Sequence, residues 1–128
     1  MKLLLDTHTF IWWDSSPSEL SAKALALCQD PANTLMLSVV SAWEMQIKAQ
    51  LGKLTFARPL ATLVANQQAM NGVVVLEITL AHVLALDTLP AAHRDPFDRL
   101  LVAQANAEGA ALLSRDPIFR HYPVPVLW

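Results

Sequence analysis

Two acidic residues of this chain directly follow short apolar runs of the kind that form buried strands. Asp6 comes immediately after the run at residues 2–5, and Asp116 follows the run at residues 110–113 after two intervening residues. In an open parallel sheet, ligands bind outside the carboxyl ends of the strands. We therefore expect both carboxylates at the edge of the sheet where a ligand would bind.

A third acid, Asp98, lies in residues 93–99, which read His-Arg-Asp-Pro-Phe-Asp-Arg and begin a predicted helix. Pro96 suits the first helical position, because its missing N–H would be unpaired there anyway. Asp95 is then the N-cap and Asp98 falls at position N3. A capping box with Asp in place of the usual Glu explains Asp95 better than Asp98. The alternative is that Asp98 points into a cleft beside other acids.

The fourth acid, Glu44, lies in the second turn of a helix predicted from residue 39 to about residue 51, with Ser38 as its cap. Glu44 could pair with Lys48 four residues later, or form a capping box with Ser41. The two acids that follow strands could likewise be ordinary turn residues. The placement of all four acids near one rim of the sheet favours a shared site over these separate explanations.

A cluster of carboxylates of this kind predicts a divalent metal site. Neighbouring carboxylates repel one another, and a hard cation removes that cost. Oxygen-only ligands favour Mg²⁺ or Mn²⁺, whereas Cys28 is the only cysteine and has no partner at zinc-binding spacing. Such an ion leaves room for phosphate oxygens, so the chemistry we expect is phosphodiester hydrolysis by metal-activated water.

The composition describes a folded chain with modest charge. It has 128 residues, of which 54% are hydrophobic and 16% charged, so it is not disordered and should form a single domain over residues 1–128. So apolar a small chain should also cover part of its surface with a partner. The net charge of −2 is not typical of a nucleic-acid binder. Neutralising four acids with metal would make it positive, so charge does not exclude RNA.

Nothing in the sequence indicates secretion or a membrane span. Cys28 has no second cysteine to pair with, which favours a reducing, cytoplasmic setting. Asp6 interrupts the first apolar run before the apolar part of a signal peptide could form. The longest uncharged tract, residues 59–76, is broken by polar residues and predicts a helix, a turn and a strand rather than a membrane helix.

The order of the predicted elements sets the fold class. Strands are expected at residues 2–5, 34–37, 73–76 and 110–113, with a short edge strand at 124–127. Helices are expected at residues 10–13, 22–29, 39–51, 59–71, 80–86 and 96–108. This alternation indicates an α/β domain with a mostly parallel sheet of four to five strands. Right-handed crossovers then make it a three-layer α/β/α sandwich.

These motifs together resemble the PIN-domain family, and within it the VapC-like toxins of bacterial toxin–antitoxin pairs. The resemblance covers nearly the whole chain, and its third block is the most specific. Its four blocks are Leu4–His8 with Trp12, Ser38–Glu44 with Lys48 and residues 52–54, His93–Arg99, and Leu113–Asp116 with Phe119 and Tyr122. Ser114 stands where such proteins often carry Thr, which keeps the hydroxyl.

The resemblance implies a PIN-like fold and a Mg²⁺- or Mn²⁺-dependent endoribonuclease that is inhibited by a cognate antitoxin and is usually dimeric. Its acidic site, catalytic and metal-binding, maps onto Asp6, Glu44, Asp98 and Asp116. We interpret Asp95 as an N-cap or supporting group rather than a metal ligand. Supporting roles are expected of Thr7, His8, Asp95, Arg99 and Ser114. The expected substrate is RNA in a single strand or loop, and residues 22–53 are the expected surface for the antitoxin and a second subunit.

Several side chains near the acids have two interpretations. His8 could touch the site or serve as a structural hydrogen bonder. Arg99 and Arg115 could contact phosphate or act as ordinary counter-charges. The four tryptophans are more often core or interface anchors than platforms for stacked bases.

Two other functions would leave different traces in the sequence. A phosphatase of the haloacid-dehalogenase type needs a second Asp two residues after its nucleophile, and that position holds His8. A non-catalytic interaction module with a PIN-like fold would have a degraded site, whereas all four acids are present. Neutralising Asp6 and Asp98 separates a nuclease from an interaction module, because only the nuclease would lose its toxicity.

Overall fold

Five strands alternate with six helices in the part of the chain that the computed structural model describes, residues 1–91 and 95–128. The strands are β1 (Lys2–Leu5), β2 (Thr34–Ser38), β3 (Val74–Leu76), β4 (Ala111–Leu113) and β5 (Val126–Leu127). The helices are α1 (Thr7–Ser15), α2 (Ala22–Gln29), α3 (Val39–Gln50), α4 (Leu60–Asn71), α5 (Leu80–Leu84) and α6 (Pro96–Glu108). Short 3₁₀ helices lie at Pro17–Glu19, Ala85–Thr88 and Pro117–His121. Two residues of the predicted motif, His93 and Arg94, lie outside the described residues.

All strand pairs in the sheet are parallel, in the order β3-β2-β1-β4-β5. The chain builds the sheet outward from β1 to β3 on one side and then returns to place β4 on the other side of β1. Leu5 at the end of β1 is in register with Leu37 of β2 and Leu113 of β4. The strand order therefore reverses between β1 and β4, and the crevice beyond the carboxyl ends of these two strands is where such sheets bind ligands.

Helices cover both faces of the sheet, so the predicted three-layer α/β/α sandwich is confirmed. Successive side chains of a strand point to opposite faces. Leu3 and Leu5 accordingly pack in one buried cluster with Phe10 of α1, whereas Leu4 packs in the other cluster with Val102 of α6. β1 is buried on both sides, which explains its continuous apolar run.

The first helix is longer than predicted. The expectation was a short apolar segment at residues 10–13, but α1 begins at Thr7 because Asp6 is its N-cap. The Asp6 Oδ1 atom accepts a hydrogen bond from the Thr9 backbone N–H at 2.8 Å. The predicted caps at Ser21 and Asp95 are confirmed. A helix N-cap is thus the feature that fixes the first acid of the predicted site.

The single cysteine is part of the core. Cys28 of α2 is buried, and this burial raises the pKa of its thiol to about 11, because the charged thiolate is poorly solvated there. The side chain therefore packs as a small apolar group. None of the helices that the structure describes is long and apolar enough to cross a membrane.

Candidate active site

Asp6 lies at the reversal point of the sheet, immediately after β1. Its backbone N–H donates a hydrogen bond to the Leu113 carbonyl oxygen of β4 at 3.3 Å, which holds the ends of the two strands together. The Asp6 side chain is buried. Its Oδ1 atom accepts the Thr9 N–H and its Oδ2 atom accepts the Ser114 hydroxyl. Both carboxylate oxygens are therefore oriented by the fold.

Ser114 connects Asp6 to Asp116. Its Oγ atom donates to Asp6 and accepts the Asp116 backbone N–H at 3.1 Å. Asp116 is exposed and caps the following 3₁₀ helix, since its Oδ1 atom accepts the Ile118 N–H at 3.0 Å. One buried hydroxyl thus fixes the relative positions of an acid that follows β1 and an acid that follows β4.

Glu44 is connected to the same region from α3. Its Oε1 atom accepts the Thr7 hydroxyl at 2.6 Å, and Thr7 adjoins Asp6 in sequence. Its Oε2 atom lies 2.9 Å from the Lys48 Nζ atom, so the predicted pairing four residues apart is present. Ser41 does not take the alternative role, because its buried Oγ atom has no hydrogen-bond partner among the described residues. These contacts hold Glu44 against the start of α1.

Asp98 occupies position N3 of α6, and Asp95 is the N-cap, as predicted. The Asp95 Oδ1 atom accepts the Phe97 N–H at 2.9 Å. The Phe97 ring meets the Trp43 ring edge-on, with 5.0 Å between centroids. Because Trp43 precedes Glu44 and Phe97 precedes Asp98, this contact brings the two acid-bearing turns of α3 and α6 next to each other.

A cavity of about 440 Å³ opens beside these residues; we call it the acidic cavity. Its lining residues are Asp6, His8, Trp12, Arg115, Asp116 and Pro117. Two of the four predicted acids therefore share one cavity, whereas Glu44 and Asp98 are not among its lining residues. Carboxylates in a cavity with an imidazole and a guanidinium group can bind a cation together with a phosphate ester.

The two arginines that flank predicted acids have different surroundings. The Arg99 Nη1 and Nη2 atoms donate to the carbonyl oxygens of Pro90 and Leu86, at 2.7 and 3.4 Å. The Arg115 guanidinium lies over the Trp12 ring, 4.4 Å from its centroid. Arg99 is therefore hydrogen-bonded to the segment before α6, whereas Arg115 lines the acidic cavity.

His8 and Trp12 form the aromatic side of the acidic cavity. The exposed His8 ring lies 5.7 Å from the Trp12 ring, measured between centroids. Trp12 is half-buried and also contacts Trp128, with 6.1 Å between centroids. The sequence contained no signal for the second contact, because Trp128 lies at the far end of the chain and belongs to no recognisable motif.

Comparison with known proteins decides the family. The model of the PIN domain family matches residues 3–125. This chain belongs to the PIN-domain family. Ribonuclease VapC22 of Mycobacterium tuberculosis is 30% identical over 127 residues, which cover 97% of this chain and 95% of that protein. This relative places the chain in the VapC-like branch of the family.

Solved structures agree on the fold. VapBC2 from Rickettsia felis, crystallised with a DNA fragment from its promoter, matches with a TM-score of 0.70 and 16% identity, covering 99% of this chain and 98% of that one. FitAcB from Neisseria gonorrhoeae matches with a TM-score of 0.63 and 14% identity, covering 98% and 96% of the two chains. At this level of identity the similarity concerns the fold.

The predicted metal can be tested against the donors present. Among residues 1–91 and 95–128, no three His, Cys, Asp or Glu side chains form a group that could hold a metal ion. Mg²⁺, however, is usually held by one or two carboxylates together with water and substrate phosphate, rather than by a complete protein cage. Asp6 and Asp116 supply two carboxylates in one cavity. Two carboxylates in one cavity therefore fit a hard divalent cation.

Proposed function

We propose that this protein is an endoribonuclease, the toxin of a toxin–antitoxin pair, and that it hydrolyses RNA phosphodiester bonds with Mg²⁺ or Mn²⁺. One observation carries the proposal: Asp6 and Asp116 share a cavity at the reversal point of the sheet. The proposal is also supported by the 30% sequence identity, over nearly the whole chain, to a protein named Ribonuclease VapC22. Residues 1–128 form one PIN-like domain in this proposal, and it acts in the cytoplasm.

The four acids have different roles in this proposal because their surroundings differ. Asp6 and Asp116 hold the ion in the acidic cavity, and Glu44 and Asp98 complete the site from the adjoining turns of α3 and α6. A bound ion would supply water activation and neutralisation of the charge on the scissile phosphate. Ser114 and Thr7 keep the carboxylates of Asp6 and Glu44 in position, as hydrogen-bonding groups around metal ligands do elsewhere.

Two protein partners belong to the proposal, a cognate antitoxin and a second copy of this chain. Solved neighbours of similar fold are described as toxin–antitoxin complexes, among them one from Klebsiella pneumoniae. Residues 22–53 were expected to form the surface for both the antitoxin and a second subunit, and here we assign them to the antitoxin. They carry Trp43 and Leu51, which are 56% and 63% exposed. Large exposed apolar side chains are typical of a protein interface.

The direct test is cleavage of total cellular RNA by the purified, antitoxin-free protein. We expect discrete fragments with Mn²⁺ and none with EDTA, and none from the variants Asp6→Asn and Asp98→Asn. Asp30→Asn is the matched control, because it removes the same charge from an exposed residue next to the amino end of β2. Cleavage that continued in EDTA, or in both site variants, would contradict the proposal.

A binding measurement separates the metal site from the nuclease activity. Mn²⁺ should raise the melting temperature of the wild type and of Asp30→Asn, but raise that of Asp6→Asn much less. If Mn²⁺ stabilised the wild type while RNA stayed intact, the metal site would stand and the ribonuclease activity would be rejected. If Mn²⁺ stabilised no variant and RNA stayed intact, both parts would be rejected.

A further inference from the structure

A second cavity adjoins the acidic cavity, and its lining is strongly basic. It has a volume of about 270 Å³ and is lined by Lys23, Arg115 and Arg120, together with Asp116 and Trp128. We call it the basic cavity. Arg115 and Asp116 line both cavities. The two cavities are therefore neighbours that share one wall.

The three cations of the basic cavity come from separate parts of the fold and lack carboxylate partners. Lys23 lies on α2, Arg115 follows β4 and Arg120 lies in the 3₁₀ helix Pro117–His121. Within the described residues, none of the three forms an ion pair. Lys48, by contrast, is paired with Glu44. Like charges around a small cavity repel one another, so an anion bound there would be stabilised.

The one acid in the basic cavity does not remove this charge in the working enzyme. The lining of the basic cavity contains three cationic side chains and one anionic side chain, Asp116. Under the proposed function, Asp116 also binds the metal ion on the other side of the shared wall. That ion would neutralise the Asp116 carboxylate. The remaining charges of the basic cavity would then be Lys23, Arg115 and Arg120, which favour a bound anion.

The shared wall holds Arg115 at the boundary. Its guanidinium lies over Trp12, and the Trp12 ring contacts Trp128, which lines the basic cavity. The guanidinium makes no hydrogen bond to another described residue. A cation held over an aromatic ring, with no carboxylate partner, keeps its N–H donors available for phosphate oxygens.

We propose that the basic cavity binds the RNA phosphate that neighbours the scissile one. A strand whose scissile phosphate lies in the acidic cavity would cross Arg115 and place its next phosphate between Lys23 and Arg120. This site rests on the proposed function and deepens it. It would fix the position of the strand without reading its bases, because phosphate contacts carry no direct sequence information.

The first test is RNA binding without cleavage. Fluorescence anisotropy with a labelled single-stranded RNA and Mn²⁺, repeated over a salt series, would compare Asp98→Asn, which should not cleave, with the same variant carrying K23Q/R120Q. We expect roughly tenfold weaker binding. The slope of log Kd against log salt should fall by about 0.7, the value for one phosphate contact on a single strand.

Two further variants keep this test decisive. K53Q/R58Q removes the same formal charge from exposed positions after α3 that line neither cavity, and should bind RNA almost as the wild type does. K23R/R120K keeps both charges and should restore binding. Equal weakening in K23Q/R120Q and K53Q/R58Q would overturn the proposal, since only net charge would then matter.

The position of the bound phosphate can be tested directly. Neutral methylphosphonate groups would replace single phosphates around a mapped cleavage site. Wild-type affinity should fall most at one neighbouring position, and K23Q/R120Q should be insensitive there. Equal sensitivity of the two proteins at every position would overturn the basic cavity while leaving the nuclease intact. A wild type that neither bound nor cleaved RNA would overturn the proposed function itself.

Discussion

At the scale of single residues, hydroxyl groups organise the acids of the candidate site. Thr7 donates to Glu44, and Ser114 donates to Asp6 while accepting the Asp116 N–H. Asp6 is buried, so each hydrogen bond to its carboxylate stabilises a charge that would otherwise be poorly solvated. The sequence predicted Ser114 as a supporting residue, but it gave no partners for the hydroxyl.

We predict that Ser114→Ala impairs the site and that Ser114→Thr does not. Loss of the hydroxyl frees one oxygen of Asp6 and the N–H of Asp116, and the loss of such supporting groups reduces metal affinity or activity by about 10–100-fold. The measurements are kcat for RNA cleavage and the Mn²⁺ concentration that gives half of the full shift in melting temperature. Ser114→Thr keeps the hydroxyl and should remain close to the wild type.

Ser15→Ala is the matched control for this substitution, because Ser15 is exposed and its hydroxyl donates to its neighbour Asp14, away from the candidate site. It should leave both measurements unchanged. A Ser114→Ala variant with wild-type Mn²⁺ response and kcat would show that the link between Asp6 and Asp116 has no functional role. The same loss in Ser114→Thr would show that side-chain size, and not the hydroxyl, is what matters.

At the scale of elements, one buried amide connects three segments around the site. The Gln104 Oε1 atom on α6 accepts the hydroxyl of Ser38, the cap of α3, at 2.5 Å. Its Nε2 atom donates to the Glu77 carbonyl oxygen at 3.2 Å and lies 3.4 Å from His82 Nδ1. His82 in turn completes a capping box with Thr79 at the start of α5. This polar network aligns α3 and α6, the helices that carry Glu44 and Asp98.

We predict that Gln104→Leu is strongly destabilising although the two side chains are similar in size. It leaves the buried Ser38 hydroxyl, which still accepts the Val40 N–H, without an acceptor for its proton, and an unsatisfied buried group costs about 1–3 kcal/mol. Urea unfolding should therefore show a loss of about 1–3 kcal/mol in the free energy of unfolding. Gln68→Leu, at an exposed position of α4, is the control and should change it by less than about 0.5 kcal/mol. Similar values for the two variants would contradict the role of the network.

Element boundaries were largely predictable because the residues that set them are local. Ser21 and Asp95 cap the helices predicted after them, and Gly109 ends α6 with a φ of 64°, a conformation that glycine adopts without strain. Each of these signals acts within a few residues of the boundary. The caps therefore gave α2 and α6 their observed first residues.

The buried face of α3 was not predictable in the same way. Trp43, Ile47 and Leu51 form an apolar row four residues apart, but Trp43 and Leu51 are exposed, whereas Val40 and Met45 are buried. The apolar row fits a helical period, but which side of α3 is buried depends on what the helix packs against in the folded chain. The contacts of His82 were not predictable for a similar reason, because its partners Gln104 and Glu108 lie on another helix.

At the scale of the whole molecule, the sheet topology determines which distant residues meet. Asp6 and Ser114 are 108 positions apart in sequence and share a hydrogen bond, because β1 and β4 are neighbours at the reversal of the strand order. The rule that ligands bind at this edge predicted a cavity there, and Asp6 and Asp116 line one. It did not predict which acids line the cavity, since that depends on side-chain contacts from α1 and α3.

The surface of the molecule includes an exposed apolar side of α5. α5 presents Leu80, Val83 and Leu84 at positions i, i+3 and i+4, so they lie on one side of the helix. Leu80 and Leu84 are 72% and 64% exposed. An apolar row of this kind on a chain that is 54% hydrophobic favours burial against a second copy of the chain, which fits the proposed homodimer.

We predict that the wild type is a dimer in solution and that Leu80→Glu combined with Leu84→Glu makes it monomeric. Burying two unpaired carboxylates in an apolar interface costs several kcal/mol, more than most interfaces tolerate. Light scattering coupled to size exclusion gives the mass. Met70→Glu combined with Gln68→Glu, at exposed residues of α4, introduces the same two charges elsewhere and should keep the dimer. A dimer that survived the double substitution would locate the interface away from α5, and a monomeric wild type would remove the homodimer from the proposal.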